Sequence, residues 1–529
     1  MFDHLFLPTN KVTGVQEGSV LMKMKKKLKV EKLCVRVFLF FAIQLGFFYI
    51  IKTSTLHHHH HQDHIRWRTT LLTKSSPSQT SSFPVQPEAI DRQNSRKSSP
   101  LPIRHLAIIH GHGETLERSI SCDRSHKLYD LCRLKNPTIL EPKTATFFTR
   151  SPIPSKDPHL VEKIRPYPRK ADIGTMDSIQ EITLTTKTLD FPCTIKHDTP
   201  ALVFSIGGFT GNFFHDFNDG FVPLFITKKT IFPNQDVTLV ITDYSEWWYG
   251  KYEAILGQFS NNPIINLDNQ TVTHCFPSVF VGLISHGPMT INPALIPGQK
   301  SFLDFRASLE EGYRKCLVWP APKIKGRPRL VLVSRSGDVG RVIINQDAVI
   351  KAAQEEGFDV VVFEPSAYTY LCDVYRLING SHAIMGVHGA ALTHSLFLQP
   401  GGAFIQVVPL GGDWLAKTYF RNLGKGMKLE YSEYKIEPNE STLTEKYGKD
   451  HVLVRDSSTI ASKNWSALHN VYLKSQDVRL DVARFRGYLM NAYSKAKKLM
   501  EHQGLHVRRR RKTKKFIRPP VFSYTYGVE

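Results

Sequence analysis

One stretch, Ala383-Ile-Met-Gly-Val-His-Gly-Ala-Ala-Leu-Thr-His-Ser-Leu-Phe-Leu-Gln-Pro-Gly-Gly-Ala-Phe-Ile-Gln-Val-Val-Pro409, constrains the fold more than any other. Its first five residues are apolar without helical polarity, which is what a strand covered on both faces of a parallel sheet requires. Residues 391–398 read as a helix, Pro400, Gly401 and Gly402 end it, and residues 403–408 start a second strand. His388, Gly389, Ala390 and Ala391 then fall at the carboxyl end of a strand, where a doubly wound sheet places its ligand. Small residues there let a diphosphate approach the backbone, and the amides opening the helix attract its charge. A compact turn without a ligand is the plainer alternative, because His-Gly-Ala in isolation is a weak signal.

The neighbouring sequence extends the pattern. Residues 329–334 and 359–364 read as strands, with helices at 345–357 and 370–379, so the second half is a βαβαβ succession. The first half repeats the theme. Residues 181–186 form a plausible strand, and the strand at 201–206 runs into Gly207-Gly-Phe-Thr-Gly-Asn212, whose Asn212 can cap the next helix. Phe213, Phe214, Phe217, Phe221, Leu224 and Phe225 share one face of that helix, while His215 and Asp219, four apart, share its polar face. Strand, helix and strand follow at 237–242, 247–259 and 264–267. A basic, proline-spaced hinge at 319–328 separates the halves, and residues 477–503 read as a long closing helix. The expected architecture is α/β, with two Rossmann-like domains at 105–318 and 329–503 facing a cleft.

The net charge of +22 suggests nucleic acid until it is located. Residues 1–100 hold 15 Lys/Arg against 6 Asp/Glu and residues 495–529 hold 11 against 2, which leaves only +4 for the whole middle. That balance argues against a nucleic-acid-binding core; the positive charge belongs to two ends, the second of them a basic tail at 504–529.

Residues 37–51 are the only membrane-grade run, and extending it to Leu33 gives 19 residues with Arg36 placed to snorkel. Lys23, Lys25, Lys26, Lys27, Lys29 and Lys32 precede it, so the positive-inside rule puts residues 1–32 in the cytosol and the rest across the membrane. A cleaved signal peptide competes with this signal anchor, but the preceding region is long and no small-x-small cleavage site follows. Residues 52–104 form a low-complexity stalk; its His57 to His61 run, like His110 and His112, lacks the fixed geometry of a metal site.

Two features agree with that topology. Four acceptor triplets for N-glycosylation, at Asn269, Asn379, Asn439 and Asn464, all follow the anchor. Six of the seven cysteines do too, and an even number in an oxidising compartment suggests disulfides, with Cys122 and Cys132 the first candidate pair; six buried thiols are the alternative.

Arg335 and Arg341 follow the strand at 329–334 and can reach the sheet edge occupied by His388, where two guanidiniums beside a helix amino terminus would clamp a diphosphate. Asp-x-Asp, a common holder of Mg²⁺ or Mn²⁺ on a sugar nucleotide, occurs nowhere in the chain. No metal or other cofactor is therefore expected, and the leaving group would be stabilised by arginine and backbone amides.

Taken together, Gly207-Gly-Phe-Thr-Gly-Asn-Phe-Phe-His-Asp-Phe-Asn-Asp219, Val331-Leu-Val-Ser-Arg335, Gly386-Val-His-Gly-Ala-Ala-Leu-Thr393 and Ile405-Gln-Val-Val-Pro-Leu-Gly-Gly-Asp-Trp414 strongly resemble glycosyltransferase family 61 over residues 118–495. Glu440-Ser-Thr-Leu443 and residues 472–486 look like its plant xylan branch, which adds xylose or arabinose side chains. Ala391 stands where the family often has glycine. The resemblance implies a GT-B fold, an inverting reaction, a UDP-sugar donor, a polysaccharide acceptor such as xylan, and a type II protein of the Golgi membrane, and it leaves open a complex with other wall-polysaccharide transferases. An inverting transfer needs a base from the acceptor side of the cleft. His215, Asp216 and Asp219 are the candidates, His215 first because it titrates near neutrality, with a structural role for it equally open; Asp413 is a weaker candidate on the donor side. Two rivals differ in class. A catalytically weak scaffold subunit would lack donor binding, and a nicotinamide-dependent oxidoreductase would need a Gly-x-Gly-x-x-Gly spacing that Gly207, Gly208 and Gly211 do not have.

Overall fold

The computed structural model describes residues 118–149, 159–186, 192–318, 326–366 and 369–513. The anchor at 33–51, the stalk with its histidine runs, most of the hinge and the end of the basic tail lie outside the described residues. Among the described residues no helix is long and apolar enough to cross a membrane.

The second half is built on five parallel strands, in the spatial order Asp359–Phe363, Arg329–Val333, Ala383–Val387, Ala403–Val408, Glu430–Lys435. The three central strands are buried at every residue, which is why they read as unbroken apolar runs. Glu430–Lys435 was not expected. It is an edge strand with only Tyr434 fully buried, so it carries no apolar signature. The winding reverses between Arg329–Val333 and Ala383–Val387, because the chain's second strand lies outside the first and its third lies on the other side. A doubly wound sheet opens its crevice at such a switch point. The closing helix runs from Val482 to Thr513 and buries Phe485, Leu489, Ala492 and Ala496 at helical spacing.

The first half holds two six-stranded sheets. In one, Val279–Val281, Ala201–Ser205, Thr238–Thr242 and Ile265–Asn266 run parallel, and Leu131–Leu134 with Ile120–Asp123 extend it antiparallel. The other is mixed, in the order Val161–Ile164, Ile182–Thr185, Thr146–Thr149, Thr138–Glu141, His274–Phe276, Ile195–Lys196. Apart from residues 181–186 this second sheet is invisible in the sequence. Its strands have two to four residues each, too few for a period to emerge.

The aromatic helix begins as Phe213–His215, passes through a π turn at Asp216–Phe221 and continues as Val222–Ile231. All six residues of its expected apolar face are buried. They do not close a private core. Phe217, Phe225 and Phe305 join Val331, Leu392, Phe397 and Phe404 in one cluster that spans both halves. The buried Arg306 crosses the same boundary, donating to the Leu398 carbonyl (3.2 Å) and to Asn379 Oδ1 (2.6 Å).

All six cysteines after Cys34 are paired. Cys122 and Cys132 face each other on adjacent strands, Cys193 joins Cys275, and Cys316 ties the segment Arg314–Val318 to the helix Leu371–Asn379. Asn269, Asn439 and Asn464 are exposed. Asn379 is only half exposed, and its amide oxygen is held by Arg306 and Gln399.

Candidate active site

Four of the residues singled out above meet at the switch point. Arg335 and Arg341 both reach Gly389: a Cβ built there would lie 2.6 Å from Arg335 Nη1 and 3.3 Å from Arg341 Nη1. Arg341 Nη1 donates to the His388 carbonyl at 2.9 Å. Neither guanidinium makes an ion pair among the described residues, and both Nε atoms are buried without a hydrogen-bond partner. Burial lowers Arg335 from its ordinary value, with Asp477 opposing the shift; burial and then the adjacent Arg335 push Arg341 down to about 9. Two cations facing each other, neither of them in an ion pair among the described residues, form a pocket that an anion relieves. Arg341 adds backbone strain of its own. It sits at φ +63°, unusual for a bulky residue, and is fixed by its N–H to the Gln476 carbonyl.

His388 is buried, and burial followed by Arg341 and Arg335 holds its ring down to about 3. Its Nδ1 lies 2.7 Å from Gln406 Nε2, and Gln406 Oε1 accepts the Tyr431 hydroxyl at 2.5 Å. His388 is thus a neutral, fixed ring. Ala390–Phe397, expected as an α-helix, is a 3₁₀ helix, with Gly389 rather than a side-chain cap at its start.

A cavity of about 490 Å³ opens in front of Arg335, between Gly211, Asn212, Phe213 and Lys251 of the first half and Ser334, Ser336, Ala390 and Ala391 of the second. His394 also lines it and was missed from sequence. Its ring stacks on Phe213 across the two halves at 3.9 Å and donates from Nδ1 to the Ala391 carbonyl at 2.7 Å. The available signal was a second histidine six residues after His388. Burial pushes His394 to about 3, and burial likewise lowers His382, beneath the same sheet, to about 4.

These neutral histidines make a stability prediction. An unfolded histidine titrates near about 6.5, whereas these rings resist protonation until pH 3–4. Above pH 6.5 neither state takes the proton and the term is silent. As pH falls below 6.5 the unfolded state gains protons that the folded state refuses, so stability drops by up to about 1.4 kcal/mol per pH unit for each ring. Melting at pH 7.5, 6 and 5 should show a steadily falling midpoint; a flat profile would mean that the rings are already charged or accessible.

In the aromatic helix, next to the cavity-lining Phe213 but outside the lining itself, His215 Nδ1 donates to Asp219 Oδ2 at 2.7 Å, and its Nε2 has no hydrogen-bond partner among the described residues. Asp219 is buried and also accepts from Tyr167 Oη (3.1 Å) and Asn218 Nδ2 (2.6 Å), with Arg169 Nη1 at 3.5 Å. The imidazole is clamped from its other side by Phe209, which stacks on it at 4.4 Å and carries Arg169 over its far face at 5.0 Å. A buried carboxylate thereby sets the tautomer and angle of a histidine whose second nitrogen is free, an arrangement suited to taking a proton.

Asp216 and Asp413 are placed differently. Asp216 turns inward and accepts from Tyr252 Oη (2.8 Å), Trp248 Nε1 (3.1 Å) and the Gly211 amide (3.2 Å), so it anchors the glycine-rich turn. Burial raises its carboxyl, against those three hydrogen bonds. Burial would raise Asp413 too, but Lys435 (2.5 Å) and Ser458 (2.6 Å) hold it below the ordinary carboxylate range. Neither carboxylate is free to accept a substrate proton. Among the described residues no group of three or more His, Cys, Asp or Glu side chains could hold a metal ion.

Residues 210–405 match the family model Glycosyltransferase 61. The Xylan glycosyltransferase MUCI21 of Arabidopsis thaliana is 40% identical over 401 residues, which cover 72% of this chain and 80% of that protein. The chain belongs to glycosyltransferase family 61. Two further relatives come from Oryza sativa subsp. japonica. Alpha-1,3-arabinosyltransferase XAT3 is 35% identical over 70% of this chain and 64% of its own length, and Beta-1,2-xylosyltransferase XYXT1 is 36% identical over 62% and 71%. The span matched by the glycosyltransferase 61 model begins in the glycine-rich turn and ends in the strand Ala403–Val408, so it contains both the His215–Asp219 pair and the Arg335–Arg341–His388–Gly389 cluster.

Proposed function

We propose that this glycosyltransferase moves a pentose, xylose or arabinofuranose, from a UDP donor onto a hydroxyl of xylan, with inversion and without a metal ion. The observation that carries the reading is the pair of unpaired, half-buried guanidiniums meeting at Gly389 beside a cavity of about 490 Å³. A diphosphate is the anion that two convergent arginines satisfy best, since each presents parallel N–H donors. The relatives' names supply the sugar and the acceptor.

In this reading the acceptor oxygen attacks the anomeric carbon on the face opposite UDP and loses its proton to His215 Nε2. The bond from the anomeric carbon to the UDP oxygen breaks, and its electron pair stays on the diphosphate, where Arg335 and Arg341 stabilise it. Asp219 holds the imidazolium that forms. Parallel strands at the centre of one sheet in the first half and throughout the sheet of the second, with the cavity between the halves, suit a GT-B arrangement. The lysine-rich start and apolar run at 33–51, with three exposed acceptor asparagines, suit a type II glycoprotein of the Golgi membrane.

The full-length chain should be incubated with a panel of UDP-sugars and xylan oligosaccharides, with and without EDTA. Transfer of one pentose that survives EDTA is expected. No transfer, together with no UDP binding by calorimetry, would sink the reading and leave a scaffold subunit.

Gly389 offers a sharper check on the clamp. Its φ of 167° is ordinary extended backbone, so Gly389→Ala strains nothing locally, yet its methyl would sit 2.6 Å from Arg335 Nη1. UDP affinity should fall about tenfold or more as the guanidinium is displaced, with the melting midpoint nearly unchanged. Unaltered UDP affinity would remove Arg335 from the clamp.

A further inference from the structure

The arginine cluster accounts for the donor's phosphates but not for the part of the cavity beyond Arg335. There the wall is made by Ser336, Val339, Glu364, Pro365 and Ser366. Glu364 stands out chemically. It is an exposed carboxylate, the acidic residue of a lining whose cations are Lys251 and Arg335, it makes no ion pair among the described residues, and its side-chain contact is the hydroxyl of Ser336, which donates to Oε1. Oε2 keeps its acceptor capacity, with no hydrogen bond among the described residues.

Its place in the fold gives that capacity a direction. Arg335 and Ser336 follow the strand Arg329–Val333, and Glu364 is the first residue after the adjacent parallel strand Asp359–Phe363. The two turns are stitched together by the Ser334 amide, which donates to the Phe363 carbonyl at 2.8 Å. In doubly wound sheets a carboxylate ending the strand beside the phosphate-binding turn lies one sugar away from the phosphates. A carboxylate repels phosphate and accepts only from donors; a UDP-sugar offers hydroxyls on both sides of its diphosphate, and the strand-end placement selects those of the ribose. Val339, Pro365 and Leu371 add apolar surface around it.

We propose that Glu364, braced by Ser336, accepts hydrogen bonds from the ribose diol of the donor nucleotide and so makes this site selective for a ribonucleoside diphosphate. The assignment rests on the UDP-donor reading and deepens it.

The test measures binding of UDP and of 2′,3′-dideoxy-UDP to the full-length protein by calorimetry, for the unaltered chain, Glu364→Ala and Ser336→Ala. The unaltered protein should prefer UDP by about tenfold or more, the worth of hydrogen bonds to a charged acceptor. Glu364→Ala should lose that preference by weakening UDP alone, and Ser336→Ala should lose part of it. Equal affinity of the unaltered protein for both nucleotides would overturn the assignment, and that comparison needs no variant. So would a Glu364→Ala loss shared equally by the two. Absence of UDP binding altogether is a different result, which overturns the donor reading and this assignment with it.

Discussion

Replacing Arg335 by alanine is expected to lower kcat/KM for the UDP-sugar by about 10²–10³-fold, the range seen when a preorganised donor to a developing anion is removed. The sequence position alone would not justify that figure. It follows from the geometry: Arg335 lines the cavity, makes no ion pair among the described residues and meets Arg341 over Gly389, so its charge is available to whatever enters. Arg335→Lys should recover only part of the loss, because an ammonium cannot present two parallel donors to a phosphate. Stability should move the other way. Removing one of two repelling guanidiniums relieves Arg341, whose guanidinium burial and then Arg335 push down to about 9, so the melting midpoint should hold or rise without ligand. A variant that melts early and loses activity in proportion would show Arg335 to be structural.

His215→Ala is expected to reduce kcat by about 10²–10⁴-fold while leaving UDP affinity intact, which is the signature of a lost general base. Asp219→Asn should also cost activity, since an amide cannot hold the Nδ1–H tautomer as a carboxylate does. It carries a second penalty: Tyr167 and Arg169 lose their charged acceptor, and part of the effect should appear as a lower melting midpoint. The pH profile separates chemistry from architecture. A general base leaves an acidic limb in kcat/KM, and with His215 in that role His215→Ala abolishes the limb. If His215 only anchors the Phe209 loop, the alanine variant keeps the limb and loses donor binding and stability together.

Much of this site was legible before any coordinates. Ala383–Val387 and Ala403–Val408 are strands at the residues where unbroken apolar runs placed them, and the phenylalanine stripe of the 213–225 helix is buried throughout. The Cys122–Cys132 pair was legible as well, and it lies across two adjacent strands. The mixed sheet of the first half was not, because strands of two to four residues earn their stability from neighbours distant in sequence. His394 and Glu364 escaped for a related reason: nothing local distinguishes a cavity-lining side chain from a surface one.

The sequence by itself determined the α/β periodicity, the location of the charge in the two ends, the small residues after Val387 and the membership in glycosyltransferase family 61. Those are properties of local runs and of motifs that survive in order along the chain. Only the tertiary structure decided which polar residues share a task. It turned Asp216 inward to Tyr252 and Trp248, turned Asp219 toward His215, and tied Asp413 to Lys435. It also brought Arg335, Arg341 and Gly389 to one point from two segments far apart in sequence. Hydrogen bonds and like-charge contacts depend on where side chains meet in space, and the order in which sheet strands lie side by side is written in no single stretch of the chain.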